Sequence, residues 1–308
     1  MKIIALILFL YLSVNLVLGQ LAEAKKPPIK SGSHDDLVSA FPEPPVCGFS
    51  NATFNRVIGG YDAKLGDFPW MALLGYRNPT QWACAGTLVT EKHVLTAAHC
   101  VYGLENKLNV VRLGELDVAK KSDGASPVDV PIKRIIMHEH YNDKKHANDI
   151  AILVLKKEVE FTDLIRPICM PQSAELKATD FEDYNPLVAG WGYTQPNGSS
   201  SSHLQAVQLP VVSELICKEA YKNYKNAIID EKVICTSFKA GGKDACKGDS
   251  GGPLMHPVQN EIDYKTYMYE IGVVSYGIGC ARANSPAVYS RVTHFMPWIE
   301  HKILGKAS

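Results

Sequence analysis

The stretch KDACKGDSGGPL, Lys243–Leu254, places the hydroxyl of Ser250 on a turn made largely of glycine and charged residues. A hydroxyl is a poor nucleophile near neutral pH. If Ser250 reacts, another group must take its proton, and hydrogen-bond donors must hold the negative charge that develops. The rest of the chain therefore has to supply both a proton acceptor and hydrogen-bond donors.

A histidine suits the role of proton acceptor, because its ordinary pKa lies near neutral pH. The segment LTAAHC places His99 at the end of a predicted strand, and HANDIAIL places Asp149 at the entry of a very apolar strand. A buried carboxylate is costly without partners, so we expect Asp149 to accept a hydrogen bond from an imidazole N–H. Taken singly, His99 fits an ordinary strand-end histidine and Asp149 a strand cap. Together with Ser250 they indicate a reactive site.

The N-terminus predicts a secreted protein. Lys2 precedes the apolar run Ile3–Leu18, which is followed by the small residue Gly19. A membrane span needs about 20 apolar residues, so this shorter run is interpreted as a signal peptide over residues 1–19 rather than as an anchor. No membrane partner is expected.

The 32 basic and 32 acidic side chains balance, which argues against nucleic acid or an anionic membrane as a partner. The number of cysteines is even, and in a secreted chain this predicts four disulfides rather than metal ligands. Spacing alone leaves the pairing open. The eight cysteines are Cys47, Cys84, Cys100, Cys169, Cys217, Cys235, Cys246 and Cys280.

The chain after Gly19 has two regions that differ in amino-acid composition. Residues 20–56 are rich in Pro, Lys, Ser and Asp, and we expect an extended, mostly unstructured segment whose only anchor is Cys47. From Val57, short apolar runs alternate with turn residues, which predicts an all-β fold. One helix is predicted at the C-terminus, with Pro297 in its first turn. Its helical spacing is carried by Phe295, Trp298, Ile299, Lys302 and Ile303.

The segments LTAAHC, NDIAIL and GDSGGP, in the order His, Asp, Ser, resemble the chymotrypsin-like, or trypsin-type, serine proteases. RVIGG at Arg56–Gly60, AGWG at Ala189–Gly192, RPICMP and VVSYGIGCA match the same family, so the resemblance covers Val57 to the C-terminus. It implies two six-stranded antiparallel β-barrels with a cleft between them and a C-terminal helix.

The region Cys47–Trp70 is similar to arthropod venom and haemolymph proteases of the clip-protease group. Gln20–Val46 contains no cysteine, so a clip domain is not expected. The domain organisation that the resemblance implies is a signal peptide over 1–19, a propeptide or light chain over 20–56 and a catalytic domain over 57–308.

The resemblance also assigns chemical roles. Ser250 would be the nucleophile, His99 the base that later protonates the leaving amine, and Asp149 the group that orients the imidazole. The backbone N–H groups of Gly248 and Ser250 would form the oxyanion hole, and Ser275 would hydrogen-bond the Asp149 carboxylate.

The primary specificity pocket is implied by the same resemblance. Asp244 would form its floor and select substrates with Arg or Lys before the cleaved bond. Gly277 would line the pocket, while Tyr276 and Ala287 stand where tryptophan and glycine are usual in the family. The relative preference for Arg and Lys is left open by these two departures.

Activation would follow cleavage between Arg56 and Val57 by a trypsin-like protease, after which the new ammonium group of Val57 would pair with Asp249. The light chain would stay attached through Cys47 and Cys169, and protein protease inhibitors are expected partners. The remaining disulfides implied by the family are Cys84–Cys100, Cys217–Cys235 and Cys246–Cys280.

Metal and glycan sites are weaker signals. Glu115 begins an acidic loop that runs to Asp129, where the alternatives are a calcium site and a solvated loop. HEH at residues 138–140 lacks an identifiable third ligand, so no metal site and no required cofactor are predicted. Sequons mark Asn51 and Asn197 as candidate glycosylation sites.

The sequence thus predicts a secreted serine endopeptidase zymogen that cleaves proteins after Arg or Lys, in venom, haemolymph or saliva. The alternatives are a digestive trypsin, for which the tethered propeptide would be out of place, and a non-catalytic protease homologue. The presence of all three candidate catalytic residues argues against the second alternative.

Overall fold

The computed structural model describes residues 37–52, 60–77, 79–192, 200–238, 249–277 and 285–306. The strands in chain order are β1 (Tyr61–Asp62), β2 (Met71–Tyr76), β3 (Gln81–Leu88), β4 (His93–Thr96), β5 (Leu108–Leu113), β6 (Val128–Met137), β7 (Ala151–Leu155), β8 (Leu187–Gly190), β9 (Gln205–Gln208), β10 (Val211–Val212), β11 (Val233–Thr236), β12 (Pro253–Gln259), β13 (Thr266–Gly277) and β14 (Ala287–Arg291). The helices are a 3₁₀ turn (Ala98–Cys100), α1 (Ala174–Ala178), α2 (Glu214–Tyr221) and α3 (Val292–Leu304). The predicted all-β class is confirmed.

The first half of the fold is a closed antiparallel barrel of six strands in the order β2-β3-β4-β7-β6-β5. The apolar runs of the sequence are its most buried strands, since β2, β4 and β7 are buried along their whole length. A strand buried on both faces shows a continuous apolar run rather than an alternating one. This burial on both faces explains the continuous apolar run AILVL in β7.

The second half differs in strand count from the predicted six. Its described strands form one eight-stranded antiparallel sheet in the order β1-β9-β8-β12-β13-β14-β11-β10. The two-residue strand β1 precedes the first barrel in the chain but pairs with β9, with Tyr61 opposite Ala206. Such long-range pairing leaves no local signal in the sequence.

The C-terminal helix α3 is present, but Pro297 does not lie in its first turn. The helix begins at Val292, so Pro297 is inside it and removes one backbone hydrogen bond. Gly305 ends the helix in the left-handed conformation, with φ +66°. Within the described ranges, no helix has both the length and the apolar character needed to cross a membrane.

Residues 37–52 are more firmly held than predicted, and Cys47 is not their only anchor. The side chain of Phe41 is buried in the main core. The backbone N–H of Val38 donates to the Ile303 carbonyl at 3.0 Å, and the N–H of Gly48 donates to Pro167 at 2.9 Å. Residues 37–52 are therefore packed as an integral part of the fold.

Three of the four disulfides implied by the family are formed among the described residues. They join Cys47 to Cys169, Cys84 to Cys100 and Cys217 to Cys235. The fourth implied pair, Cys246–Cys280, lies outside the described residues.

A buried acid links the two halves. Glu270, on β13, is fully buried, and the Thr87 hydroxyl on β3 donates to its Oε1 at 3.0 Å. No described residue is a hydrogen-bond partner of its Oε2. Burial raises the pKa of Glu270 well above its ordinary value, and the Thr87 hydrogen bond only partly offsets this rise.

Because the folded-state pKa of Glu270 is raised, its contribution to stability is full below the unfolded pKa of about 4.3 and is lost as pH rises towards the folded value. We predict that Glu270→Gln abolishes this loss. Above pH 5 the free energy of unfolding of the wild type should fall relative to the variant by up to about 1.4 kcal/mol per pH unit. Guanidinium unfolding at several pH values measures the difference.

The exposed Glu261→Gln is the matched control and should follow the wild type. Parallel pH profiles of the wild type and Glu270→Gln would contradict the prediction.

Candidate active site

The pairing of β4 with β7 brings the predicted histidine and aspartate together. Thr96 lies opposite Ala151 in this antiparallel pair. His99 follows Thr96 in the 3₁₀ turn that ends β4, and Asp149 lies two residues before Ala151. Residues just beyond the same end of two paired strands are neighbours, so local chain geometry fixes their contact.

The Asp149 carboxylate is almost completely buried, with 1% relative exposure, and accepts three hydrogen bonds. His99 supplies two of them, from Nδ1 to Oδ2 and from its backbone N–H to Oδ1, each at 2.8 Å. The Ser275 hydroxyl on β13 donates the third, to Oδ2 at 2.5 Å. The expected contact of Ser275 with the carboxylate is therefore present.

The buried pair shifts both pKa values. Burial alone would lower the pKa of His99, but the charge and hydrogen bond of Asp149 outweigh burial and raise it above 6.5. Burial alone would raise the pKa of Asp149, but His99 and Ser275 outweigh burial and lower it. The imidazole is thus a stronger proton acceptor than an isolated buried histidine would be.

Ser290 is a further contact of Asp149 that the sequence did not indicate. Its buried hydroxyl, on β14, donates to the Asp149 backbone carbonyl at 2.7 Å. The second sheet therefore holds the aspartate through both its side chain and its main chain. No motif marks Ser290, because the contact depends on the packing of β14 against the first barrel.

Ser250 lies on a turn that docks onto the first barrel. The Ala85 N–H of β3 donates to the Ser250 carbonyl at 2.8 Å. Gly251 has φ +81°, and a Cβ there would lie 2.2 Å from Thr96 Oγ1 and 2.5 Å from the Ala85 carbonyl oxygen. Only glycine fits this position, next to the end of the strand that leads to His99. Gly248 lies outside the described residues.

Asp249 is buried against the AGWG segment. Its Oδ1 accepts the Gly192 N–H at 2.8 Å. A Cβ at Gly190 would lie 2.0 Å from that oxygen, and one at Gly192 would lie 2.6 Å from the carboxylate. Both glycines of this motif therefore make room for the Asp249 side chain. Arg56 and Val57 lie outside the described residues.

Three residues that the sequence analysis assigned to the specificity pocket lie on two paired strands. Gly277 on β13 pairs with Ala287 on β14, and the Ala287 side chain is buried. The ring of Tyr276 stacks on His146, with centroids 5.1 Å apart, and His146 lies edge-on to His99 at 6.5 Å. The sequence analysis did not identify His146. Asp244 lies outside the described residues.

The acidic loop that begins at Glu115 is engaged by cations of the chain itself. Arg112 Nη1 lies 3.2 Å from Glu115, and its Nε lies 2.7 Å from Asp129. Asp117 pairs with Lys120 at 2.9 Å. These carboxylates are thus already paired with cationic side chains.

Asn51 is exposed, as a glycan acceptor must be. Asn197 lies outside the described residues.

The Trypsin family model matches residues 57–299. The chain belongs to the trypsin family. A venom serine protease, Bi-VSP, of Bombus ignitus is 46% identical over 259 residues, which cover 82% of this chain and 70% of that protein. The CLIP domain-containing serine protease HP8 of Bombyx mori is 39% identical, covering 89% and 76%. The predicted family is confirmed, and this trypsin-family protein is a serine endopeptidase.

A solved structure supports the fold assignment. The crystal structure of the Drosophila Grass clip serine protease of the Toll pathway matches with a TM-score of 0.70 and 36% sequence identity. The match covers 82% of this chain and 73% of the Grass chain.

We predict that Asp149→Asn lowers the pKa of His99. The charge that raises the pKa is removed, and burial, which lowers it, remains. NMR titration of the His99 ring in histidine-labelled protein measures this change.

The control is Ser290→Ala, which loses the bond to the Asp149 carbonyl but keeps all three donors to its carboxylate, so the His99 midpoint should stay near the wild-type value. An unchanged midpoint in Asp149→Asn would show that the carboxylate does not set the basicity of His99.

Proposed function

We propose that this trypsin-family chain is a secreted endopeptidase zymogen that cleaves proteins after Arg or Lys through a covalent acyl-enzyme. The observation that carries the proposal is the buried Asp149 carboxylate, which accepts hydrogen bonds from His99 and from Ser275. Secretion is supported by the disulfides and by similarity to proteins named as venom proteases.

In the proposed reaction, Ser250 Oγ attacks the carbonyl carbon of the substrate while His99 Nε2 takes the hydroxyl proton. The carbonyl oxygen becomes an oxyanion, which the N–H groups of Gly248 and Ser250 stabilise. His99 then gives the proton to the leaving amine as the C–N bond breaks. A water molecule then attacks the acyl carbon while His99 takes one of its protons, and His99 returns that proton to Ser250 Oγ as the Oγ–C bond breaks and the acid leaves.

Asp149 would serve this cycle in two ways. Its bond to Nδ1 fixes the tautomer that leaves Nε2 free to accept a proton. Its charge also stabilises the imidazolium formed after proton transfer. Because Ser275 and the His99 backbone N–H hold the carboxylate, little reorganisation is needed during the reaction.

The preference for basic residues rests on Asp244 as the pocket floor. A neutral side chain would leave that carboxylate unpaired in a desolvated pocket, which is costly. Ala287 is buried and pairs with Gly277, and its methyl group would project into the space of the substrate side chain and so tune the choice between Arg and Lys.

Activation would depend on Asp249. Cleavage after Arg56 by a trypsin-like protease would give Val57 an ammonium group that pairs with this buried carboxylate and orders the adjoining oxyanion hole. A free α-amine has a pKa of about 7.7–8.0, and pairing raises it. The active form is then fully favoured below the unpaired pKa and loses that advantage as pH rises through the raised one.

The catalytic proposal predicts that activated enzyme is labelled stoichiometrically by a diphenyl phosphonate bearing an arginine-like side chain. The Ser250 Oγ–P bond forms as phenoxide leaves, and intact-mass spectrometry detects the adduct. A phenylalanine-like phosphonate is the matched probe for specificity and should label far more slowly. Ser250→Ala should not be labelled, and persistent labelling would overturn the nucleophile assignment.

The activation proposal predicts that Asp249→Asn, after complete cleavage at Arg56, loses about 100-fold or more of its kcat/KM. N-terminal sequencing must first show a chain that begins at Val57. Asp163→Asn, which changes a carboxylate whose side chain is 91% exposed, is the control and should retain activity. Normal turnover by cleaved Asp249→Asn would refute the proposed switch.

A further inference from the structure

A groove of about 680 Å³ lies between the loop that follows β6 and helix α3. Histidines and lysines form much of its lining, and none of them belongs to the site described above. They are His138, His140, His294, His301, Lys232 and Lys302.

The imidazoles flank an aromatic floor. The ring of His138 lies 5.1 Å from Trp298 and 5.4 Å from Phe295, measured between centroids. His294 and His301 are exposed and seven positions apart on α3, which places them two turns apart on one face of the helix. Histidines from two separate parts of the chain therefore line one groove.

These histidines do not form a metal site. Among the described residues, the one group of three possible donor atoms within 4.8 Å of one another is Cys84, His99 and Cys100, and its cysteines are joined in a disulfide. The groove histidines are spread along its walls instead. Such a spacing suits an extended ligand rather than a single ion.

The fixed charges around the groove are largely paired with each other. Glu139 forms an ion pair with Lys302 and accepts a hydrogen bond from the Trp298 indole N–H at 2.7 Å. The other ion pairs are Lys232 with Asp230 at 3.8 Å and Lys177 with Glu300 at 3.5 Å. The charge of Glu231 raises the pKa of His294, and the charge of Arg291 lowers it. The protonation of the histidines therefore decides the sign of the local charge.

In two of the histidine rings, a hydrogen bond determines which nitrogen carries the proton of the neutral form. Nδ1 of His138 accepts the His140 N–H at 3.2 Å, so the neutral ring carries its proton on Nε2, where it can be donated to a ligand. Nδ1 of His301 lies 2.8 Å from the Lys306 carbonyl and donates to it, so in the neutral ring Nε2 is a hydrogen-bond acceptor.

We propose that this groove binds an acidic segment of a protein substrate and takes up protons as it does so. Asn148 lines the groove, immediately precedes Asp149, and donates to the His140 carbonyl at 2.8 Å. The groove thus begins at the loop that carries the catalytic carboxylate, and we therefore assign its ligand to the substrate bound at that site. The substrate identity rests on the proposed proteolytic function, whereas the binding itself does not.

The pH dependence follows from burial. Burial lowers the pKa of His138, opposed by Glu139 and reinforced by His140, Lys302 and His294. His294 is exposed as a whole residue, but partial desolvation of its ring lowers its pKa, where Glu231 opposes the shift. A bound carboxylate favours the charged imidazole, so binding and protonation strengthen each other. Affinity should therefore rise as pH falls.

The test uses the full chain with Ser250→Ala, so that no ligand is cleaved. A fluorescein-labelled octapeptide of alternating Glu and Ser is titrated at pH 5.5 and 7.5 with anisotropy as the readout. We expect binding about tenfold tighter at pH 5.5, weakened by about 0.5 M NaCl. The matched peptide of alternating Gln and Ser should bind weakly at both pH values.

The double variant His138→Gln/His294→Gln removes the two groove imidazoles whose pKa values are lowered and should lose most of the pH dependence. His256→Gln, on β12 outside the groove, should behave like the parent protein. Equal affinity at both pH values, equal binding of the Gln peptide, or an unaltered pH dependence in the double variant would each overturn the proposal. Failure of phosphonate labelling at Ser250 would instead remove the proteolytic function and leave the binding result intact.

Discussion

The burial of the Asp149 carboxylate is the constraint on which the rest of the structure depends. An ionised carboxylate removed from water costs several kcal/mol unless hydrogen bonds and an opposite charge compensate it. Here the compensation comes from His99 in the first barrel and from Ser275 in the second sheet. The two halves must therefore pack in one register for the charge to be tolerated.

The pKa values of the two buried acids shift in opposite directions, because one acid has a cationic partner and three donors and the other has a single donor. Asp149 accepts three hydrogen bonds, and its pKa is lowered in spite of burial. Glu270 accepts one, from Thr87, and its pKa is raised. Both acids lie where the halves meet. The surroundings of Asp149 thus favour its charged form, and those of Glu270 favour its neutral form.

The sequence predicted the parts of the site that local chain geometry determines. A carboxylate at the entry of an apolar strand has no structural role of its own, which marked Asp149 as a candidate site residue. The pairing of β4 with β7 explains its contact with His99. Ser290 and His146 were missed because their contacts depend on packing between distant segments. Phe41 was missed because one apolar side chain in a proline-rich segment has no periodicity. The HEH segment gave no site because the other groove histidines lie more than 150 positions away.

The tethered segment has a practical consequence for producing this protein. Phe41 fills part of the main core, and Cys47 is the bonding partner of Cys169. A recombinant protein started at Val57 would expose an apolar cavity and a free thiol, both of which promote aggregation and mispaired oxidation. The smallest unit suited to refolding therefore begins upstream of Phe41, because this segment contributes both a core side chain and a disulfide partner to the fold.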